Sequence, residues 1–427
     1  MAATIIIIFI LGYAAIAFEH SIRINKAATA LVTGVLCWVV YILFAGNKVQ
    51  VTEQLGLHLG DLSQILFFLM GALTIVELID AHDGFEFITR RIQTTNRRKL
   101  LWIIGLIAFI LSAVLNNFTT AIVMVSLVRK LVADKNDRWM LAGLIVIAAN
   151  AGGVWSPIGD VTTTMLWIGK QITAGNIILQ LIVPSLVCLL VPLLFMRTFF
   201  KGNVTRPDQK QERAGLTLGT RKERMIVFVT GILLLLMVPL FTAATHLQPF
   251  MGMLFGLGLM WMITETIHRG KNEEDRKNFT VAYALRKIDT TSILFFLGIL
   301  LSISALESTG QLVQAAGWLD RNLKEQNSIG IGIGLLSAVV DNVPLVAATQ
   351  GMYGLALYPT DHYFWDLLSY CTGTGGSILI IGSVAGVAAM SIEKINFVWY
   401  MKRIGWLALL GYFAGAVVYI IQHRFLK

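Results

Sequence analysis

The sequence predicts an all-α polytopic membrane protein: an inverted repeat of transmembrane helices with two re-entrant hairpins and two broken helices. Three observations predict it. The chain is 56% hydrophobic and 14% charged with a mean hydropathy of +0.72, and it is long enough for roughly ten crossings of ~20 residues each. Its basic residues fall in alternate gaps between apolar runs. Polar motifs recur in order, at a nearly constant offset, in the two halves.

Apolar segments run at about 3–18, 27–45, 62–81, 100–128, 139–170, 177–196, 224–242, 249–268, 289–306, 328–357, 366–391 and 397–421. The first is similar to a signal peptide, with Ala15-Ile16-Ala17 as a cleavage mimic. It has no basic leader and a second apolar run follows at once, so it is expected to stay as a membrane helix. Residues 1–61 are expected to form N-terminal transmembrane helices and 62–200 the first repeat. The polar stretch 201–223 reads as a cytoplasmic linker, and 224–427 as the second repeat. Cys37, Cys188 and Cys371 each sit in an apolar run without CxxC spacing, as small hydrophobes do.

Charge gives the orientation. With 20–26, 89–99, 129–138, 197–224, 269–288 and 393–403 on the cytoplasmic side, only six of the 34 Lys and Arg remain elsewhere: Lys48, Lys170, Arg321, Lys324, Arg424 and Lys427. A positive-inside bias of this strength sets topology. The net charge of +9 is thereby explained by topology. No basic stripe carries interleaved aromatics, which argues against a nucleic-acid partner.

The same charges demand an unusual element. Residues 100–128 would span about 44 Å as one helix, against a hydrocarbon core of ~30 Å. Both flanks are basic, Arg97-Arg98-Lys99 and Arg129-Lys130, so both belong on one side. A hairpin that enters, turns at Asn116-Asn117-Phe118-Thr119-Thr120 and returns satisfies this. Irregular backbone at that depth must be buried in protein or line a watery cavity. In the second half, 328–357 has few basic flanks, so its hairpin should enter from outside. The match is explicit: Ser112-Ala113-Val114-Leu115-Asn116-Asn117 against Ser337-Ala338-Val339-Val340-Asp341-Asn342, and Gly152-Gly153 against Gly375-Gly376. Halves inserted in opposite senses are a recurring architecture of secondary transporters.

Polar groups at bilayer depth cost several kcal/mol unless satisfied, so they are functional candidates. They cluster at the tips (Ser112, Asn116, Asn117 and Thr119; Ser337, Asp341 and Asn342) and at the breaks, 150–164 and 371–377, within two broken helices of about 139–170 and 366–391. The first break holds Asn150, Gly152-Gly153, Pro157, Asp160, Thr162 and Thr163; the second holds Thr374, Gly375-Gly376 and Ser377. Amide, hydroxyl and carboxylate oxygens are the hard ligands of a small alkali cation. Asp160 and Asp341 are the titratable groups. Burial raises a carboxylate pKa and a bound cation lowers it, so sodium and protons compete for one site. Glu77, Asp80 and Glu307 are candidates for access or pH sensing. No Walker loop suggests ATP drive, and no cofactor is expected.

These residues carry a resemblance. The strings 111–120 (LSAVLNNFTT), 148–167 (AANAGGVWSPIGDVTTTMLW) and 337–344 (SAVVDNVP) are similar to those of NhaD-type sodium/proton antiporters, inverted-repeat carriers of the ion transporter superfamily. The resemblance implies Na+ or Li+ export in exchange for H+ across a bacterial inner membrane, a homodimer, and an elevator-like motion of the hairpin domain. It implies a cation site of Asn117, Asn150, Asp160, Thr162, Thr163, Ser337, Asp341, Asn342, Thr374 and Ser377. One position departs. The family carries Asp-Asn at the first tip, where this chain has Asn116-Asn117. Either Asp160 and Asp341 suffice for coupling, or the chain is a coupling-impaired form.

Two alternatives compete. A dicarboxylate or arsenite carrier of the same superfamily would be expected to place cationic groups at its site, and neither tip nor break contains Lys or Arg. An intramembrane aspartyl protease would pair Asp160 with Asp341, but gives the hairpins and hydroxyls no role.

Overall fold

The structure, a computed structural model, describes residues 1–17, 19–85, 92–207, 220–270, 272 and 276–426. The middle of the expected linker, 208–219, lies outside these described residues, as do Arg90, Arg91 and Lys271 of the basic segments. Among the described residues the chain is helical, with no strand beyond one isolated Asn96–Asn203 bridge. Eight helices there are long and apolar enough to cross a membrane.

Helices α1 (Ala2–Ala17) and α2 (Glu19–Ile22) lead into α3 (Lys26–Phe44) and α4 (Lys48–Ala81). Then come α5 (Arg97–Leu115), α6 (Asn117–Leu131), α7 (Lys135–Gly153), α8 (Val161–Ile168) and α9 (Ala174–Phe199). The second half holds α10 (Arg221–Thr245), α11 (Pro249–His268), α12 (Val281–Lys287), α13 (Thr290–Ser308), α14 (Gln311–Leu323), α15 (Gln326–Leu336) and α16 (Asn342–Met352). It ends with α17 (Tyr363–Gly375), α18 (Val384–Glu393), α19 (Phe397–Tyr400) and α20 (Trp406–Leu426), the last two joined by a π-helical turn.

Local sequence sets the helix starts. Asn25, Asn47, Asn96, Asp134, Thr173 and Asp289 each accept a backbone N–H of the first turn that follows, satisfying donors that have no partner in the helix itself. Thr220 and Glu223 form a full capping box. Helix α4 has 34 residues, about 51 Å, so it outruns the expected 62–81 segment by its more polar first part. Helices α3 and α13 cross closely: a Cβ on Gly34 would stand 2.6 Å from the Gly298 carbonyl oxygen.

Hydrogen bonds between loops show which helix ends meet. Val204 N–H donates to Thr95 O and Ala133 N–H to Thr205 O, so one short segment ties the start of α5 to the end of α6. Arg97 also pairs with Asp137 of α7 at 2.6 Å. Helices α5 and α6 therefore fold back on one another, with Asn116 at the bend. Elsewhere, Asp361 N–H donates to Gln171 O, Gln350 Nε2 to Met165 O and the Tyr363 hydroxyl to Asn327 Oδ1. Those bonds gather the start of α15 and the end of α16. Helix α9 links the two places: Thr173 before it bonds Asp361, and Phe200 after it lies under Arg97. Its 26 residues measure about 39 Å, so the two helical hairpins open at opposite ends of the molecule.

The interrupted helices run between those ends. Helix α7 starts beside Arg97 and stops at Gly153, and α8 resumes toward Gln171. Helix α17 starts at Tyr363 and stops at Gly375. Helix α18 then ends on Glu393, which Arg138 and Arg129 hold at 2.9 and 3.5 Å. The basic segments 97–99, 129–130 and 135–138 thus share one end.

Candidate cation site

Both hairpin bends and both helix breaks meet in the interior. Four helices stop there, α5, α7, α15 and α17, and four begin there, α6, α8, α16 and α18. Each beginning is capped by a polar side chain. Asn116 bonds Thr119 N–H, Asp160 bonds Thr162 N–H, Asp341 bonds Val343 N–H and Ser383 bonds Gly386 N–H. Asn116 adopts φ 71° and ψ 161°, a strained backbone that the bend requires.

The centre is Asp160, 1% exposed. Its Oδ2 accepts from Asn117 Nδ2 at 2.8 Å. Its Oδ1 accepts from the Thr162 amide and hydroxyl, both at 3.0 Å, and from Asn342 Nδ2 at 3.4 Å. Asn150 joins the halves: its Oδ1 accepts from Asn117 Nδ2, and its Nδ2 donates to Ser377 Oγ and Ser383 Oγ, each at 2.9 Å. Asn117, Asn150, Thr162, Asn342, Ser377 and Ser383 are all buried. No Lys or Arg forms an ion pair with Asp160 among the described residues. Buried polar groups are normally satisfied, yet Asn342 Oδ1 and Thr120 Oγ1 are buried without a hydrogen-bond partner. Close packing keeps the ring small. A Cβ on Gly373 would stand 2.0 Å from Val154 Cγ1 and 3.4 Å from Asp160 Oδ2.

The supporting contacts repeat. Ser112 Oγ donates to Ala149 O and Ser337 Oγ to Thr372 O. A Cβ on Gly152 would stand 2.1 Å from Phe109 O, and one on Gly375 would stand 2.0 Å from Gly334 O. Partners in one half correspond to partners in the other at the offsets seen in the motifs.

A family model described as CitMHS, citrate transporter, matches residues 6–368. The chain belongs to the CitMHS family and is of the NhaD type. The type follows from its relatives. Over 98% of this chain it is 46% identical to sodium/proton antiporter 1 of Arabidopsis thaliana, covering 72% of that protein. It is 44% identical to sodium/proton antiporter 2 of the same plant, covering 99% of that protein over 98% of this chain. The Na(+)/H(+) antiporter NhaD of Vibrio cholerae is 29% identical, with 98% of this chain and 91% of that protein covered.

Not every residue expected at the NhaD-type site reaches the ring. Asp341 caps α16 without a hydrogen bond to it. Lys26 acts on Asp341 electrostatically and Asp341 in turn on Asp160, and Lys26 Nζ stands 4.6 Å from the Phe295 ring centre. The Asn116 Oδ1 is occupied by the cap itself, on the Thr119 amide, and among the described residues no hydrogen bond joins the Thr119 side chain to the ring. The Thr374 hydroxyl turns back to Tyr370 O, and Thr163 pairs with Ser369 Oγ at 2.9 Å. Glu77 and Asp80 lie at the basic end, near Lys287 and Lys130. Glu307 lies at the other end, lining a cavity of about 450 Å³ with His58, Asp61, Lys170 and Gln350. Sequence reasoning missed Ser383 and Ser369. Ser383 was findable, because it stands 223 positions after Asp160, the offset of the glycine pairs.

Proposed function

We propose that the chain is a secondary transporter that exchanges Na+ or Li+ for H+. Asp160 holds either the cation or a proton, and Asp341 is the second coupling carboxylate. The observation that carries this reading is the buried Asp160 carboxylate, ringed by amides and hydroxyls from both halves and unpaired with any Lys or Arg among the described residues. Four helix N-termini converge on the ring, but so do four C-termini. Their dipoles offset one another, and the carboxylates set the sign of the site. A buried charge must be neutralised, and a cation and a proton are alternative ways of doing so. That exclusion couples their movements. Asn342 Oδ1, buried without a partner, supplies a free oxygen for a cation.

We read the two helical hairpins as re-entrant and the halves as an inverted repeat, with the basic end cytoplasmic. The opposite openings and the repeated contacts support that reading. In it, the hairpins and broken helices move elevator-like against α3, α4, α10, α11 and α13, in a homodimer in the bacterial inner membrane. We read Asn116 as the cap of α6, a task that Asn and Asp perform equally well, and the exchange as resting on the two carboxylates that remain. Asp160 and Asp341 then suffice for coupling.

A second reading rests on the family's description: transport of citrate. The test is proton movement in proteoliposomes on addition of Na+, Li+, K+ or citrate, with this chain and with Asn116→Asp. Proton efflux driven by Na+ and Li+ alone is expected from both. Activity only in Asn116→Asp would establish the coupling-impaired form, and a response to citrate alone would replace the cation reading.

A further inference from the structure

Among the described residues outside the ring, Asp366 is a deeply buried carboxylate that the site does not use and that, unlike the Arg-paired Asp137 and Glu393, has no basic partner. Asp366 lies in the first turn of α17, 2% exposed. Its Oδ2 accepts from Asn176 Nδ2 of α9 at 2.9 Å, while Oδ1 is buried with no hydrogen-bond partner. No Lys or Arg pairs with it among the described residues. A carboxylate in this setting needs a proton or a cation to neutralise it. The shared architecture does not demand one here, because the corresponding place in the first half is Gly143, packed against Ile404.

Its neighbours connect two regions. Toward the surface, Asn176 lies one turn from Thr173, whose amide and hydroxyl bond the half-buried Asp361 at 2.6 and 2.8 Å. Toward the interior, Ser369 is one turn further along α17, on an adjoining face. Its hydroxyl meets that of Thr163 at 2.9 Å, and Thr163 is in the first turn of the helix capped by Asp160. A hydroxyl can accept a proton on one side and release one on the other. The ionisable groups that act on Asp366 are Asp361 on the loop and Tyr419 on α20, while Tyr363 on its own helix faces His423 and Arg424 of α20. The Tyr419 hydroxyl donates to Tyr363 O at 3.0 Å and lies within reach of the carboxyl.

We propose that Asp366 is a third buried carboxylate of the exchange, passing protons between the end opposite the basic one and the Asp160 ring by way of Ser369 and Thr163. Each proton taken from the surface by the Asp366 carboxylate is matched by one handed to Ser369, so the group ends as it began. This inference rests on the exchange reading above, and its test separates the two.

Asp366→Asn, Asp366→Glu and Ser369→Ala are reconstituted beside the unmodified chain and assayed for sodium-driven proton flux and for sodium/sodium exchange. Asp366→Asn is expected to lower proton flux by about tenfold or more, about 1.4 kcal/mol on the limiting barrier, with sodium/sodium exchange intact. Asp366→Glu should restore most of the flux, and Ser369→Ala should slow it. Equal loss of both activities in folded Asp366→Asn would mean a structural role and overturn the proposal, as would an unchanged proton flux. Infrared difference spectra over a pH titration give a readout independent of transport. A protonated-carboxyl C=O band present in the unmodified chain and missing from Asp366→Asn is expected. Its absence from the unmodified chain would overturn the assignment even if no sodium-driven flux is found.

Discussion

Asp160 draws four hydrogen bonds from three residues, two on the first half and one on the second. Asn at this position keeps the size of the side chain but removes the charge that a cation or proton must neutralise. Asp160→Asn is therefore expected to reduce sodium-driven proton flux by about 100-fold or more, measured in proteoliposomes, while the protein still elutes as a folded species. Asn342 acts differently, because it offers a neutral oxygen. Asn342→Ala should raise the sodium concentration for half-maximal flux by about tenfold, the effect of losing about 1.4 kcal/mol of binding, and leave the maximal rate nearer its starting value. An unchanged half-maximal concentration would remove Asn342 from the cation's path.

At the scale of elements, the site depends on backbones that approach within the reach of a methyl group. A Cβ on Gly375 would fall 2.0 Å from the Gly334 carbonyl oxygen, and the atom it meets belongs to a helix backbone that cannot swing aside. Gly375→Ala should lower thermal stability by about 1–3 kcal/mol and separate the second hairpin from its broken helix. Scanning fluorimetry in detergent measures the first effect. At the basic end, Glu393 is buried and held by Arg138 and Arg129, and Trp139 Nε1 donates to its carbonyl. These contacts tie α18 of the second half to α6 and α7 of the first. Arg138→Ala leaves Glu393 with the more exposed Arg129 alone, and a loss of about 1–3 kcal/mol is expected. A midpoint equal to that of the unmodified chain would show that this tie carries little stability.

The whole molecule is organised by its two ends. Arg98 and Lys324 are exposed near the openings of opposite hairpins, and the three native cysteines are buried, so single cysteines placed there report on topology against a silent background. An impermeant thiol reagent should label Arg98→Cys only from the cytoplasmic side and Lys324→Cys only from the other. Labelling of both from one side would refute the inverted insertion of the two halves.

What the sequence by itself determined is everything carried by signals local in the chain. Hydropathy set the membrane class, and the polar tips and paired glycines marked where helices stop. Asn, Asp, Ser and Thr before apolar runs became the caps, because a cap needs only the N–H groups two or three residues ahead. The tertiary structure alone decided which of those polar groups meet. Asn150 joins Asn117 to Ser377 and Ser383, partners 227 and 233 positions away from it, and no local pattern encodes such a distance. It also kept the Asp341 carboxylate, which the motif places beside Asn342, outside the ring's hydrogen bonds, and put Asp366 against Asn176 of α9. Capping is read along one helix, whereas a ligand ring is assembled by packing between helices, and only the close approach of eight helix ends brings its oxygens together.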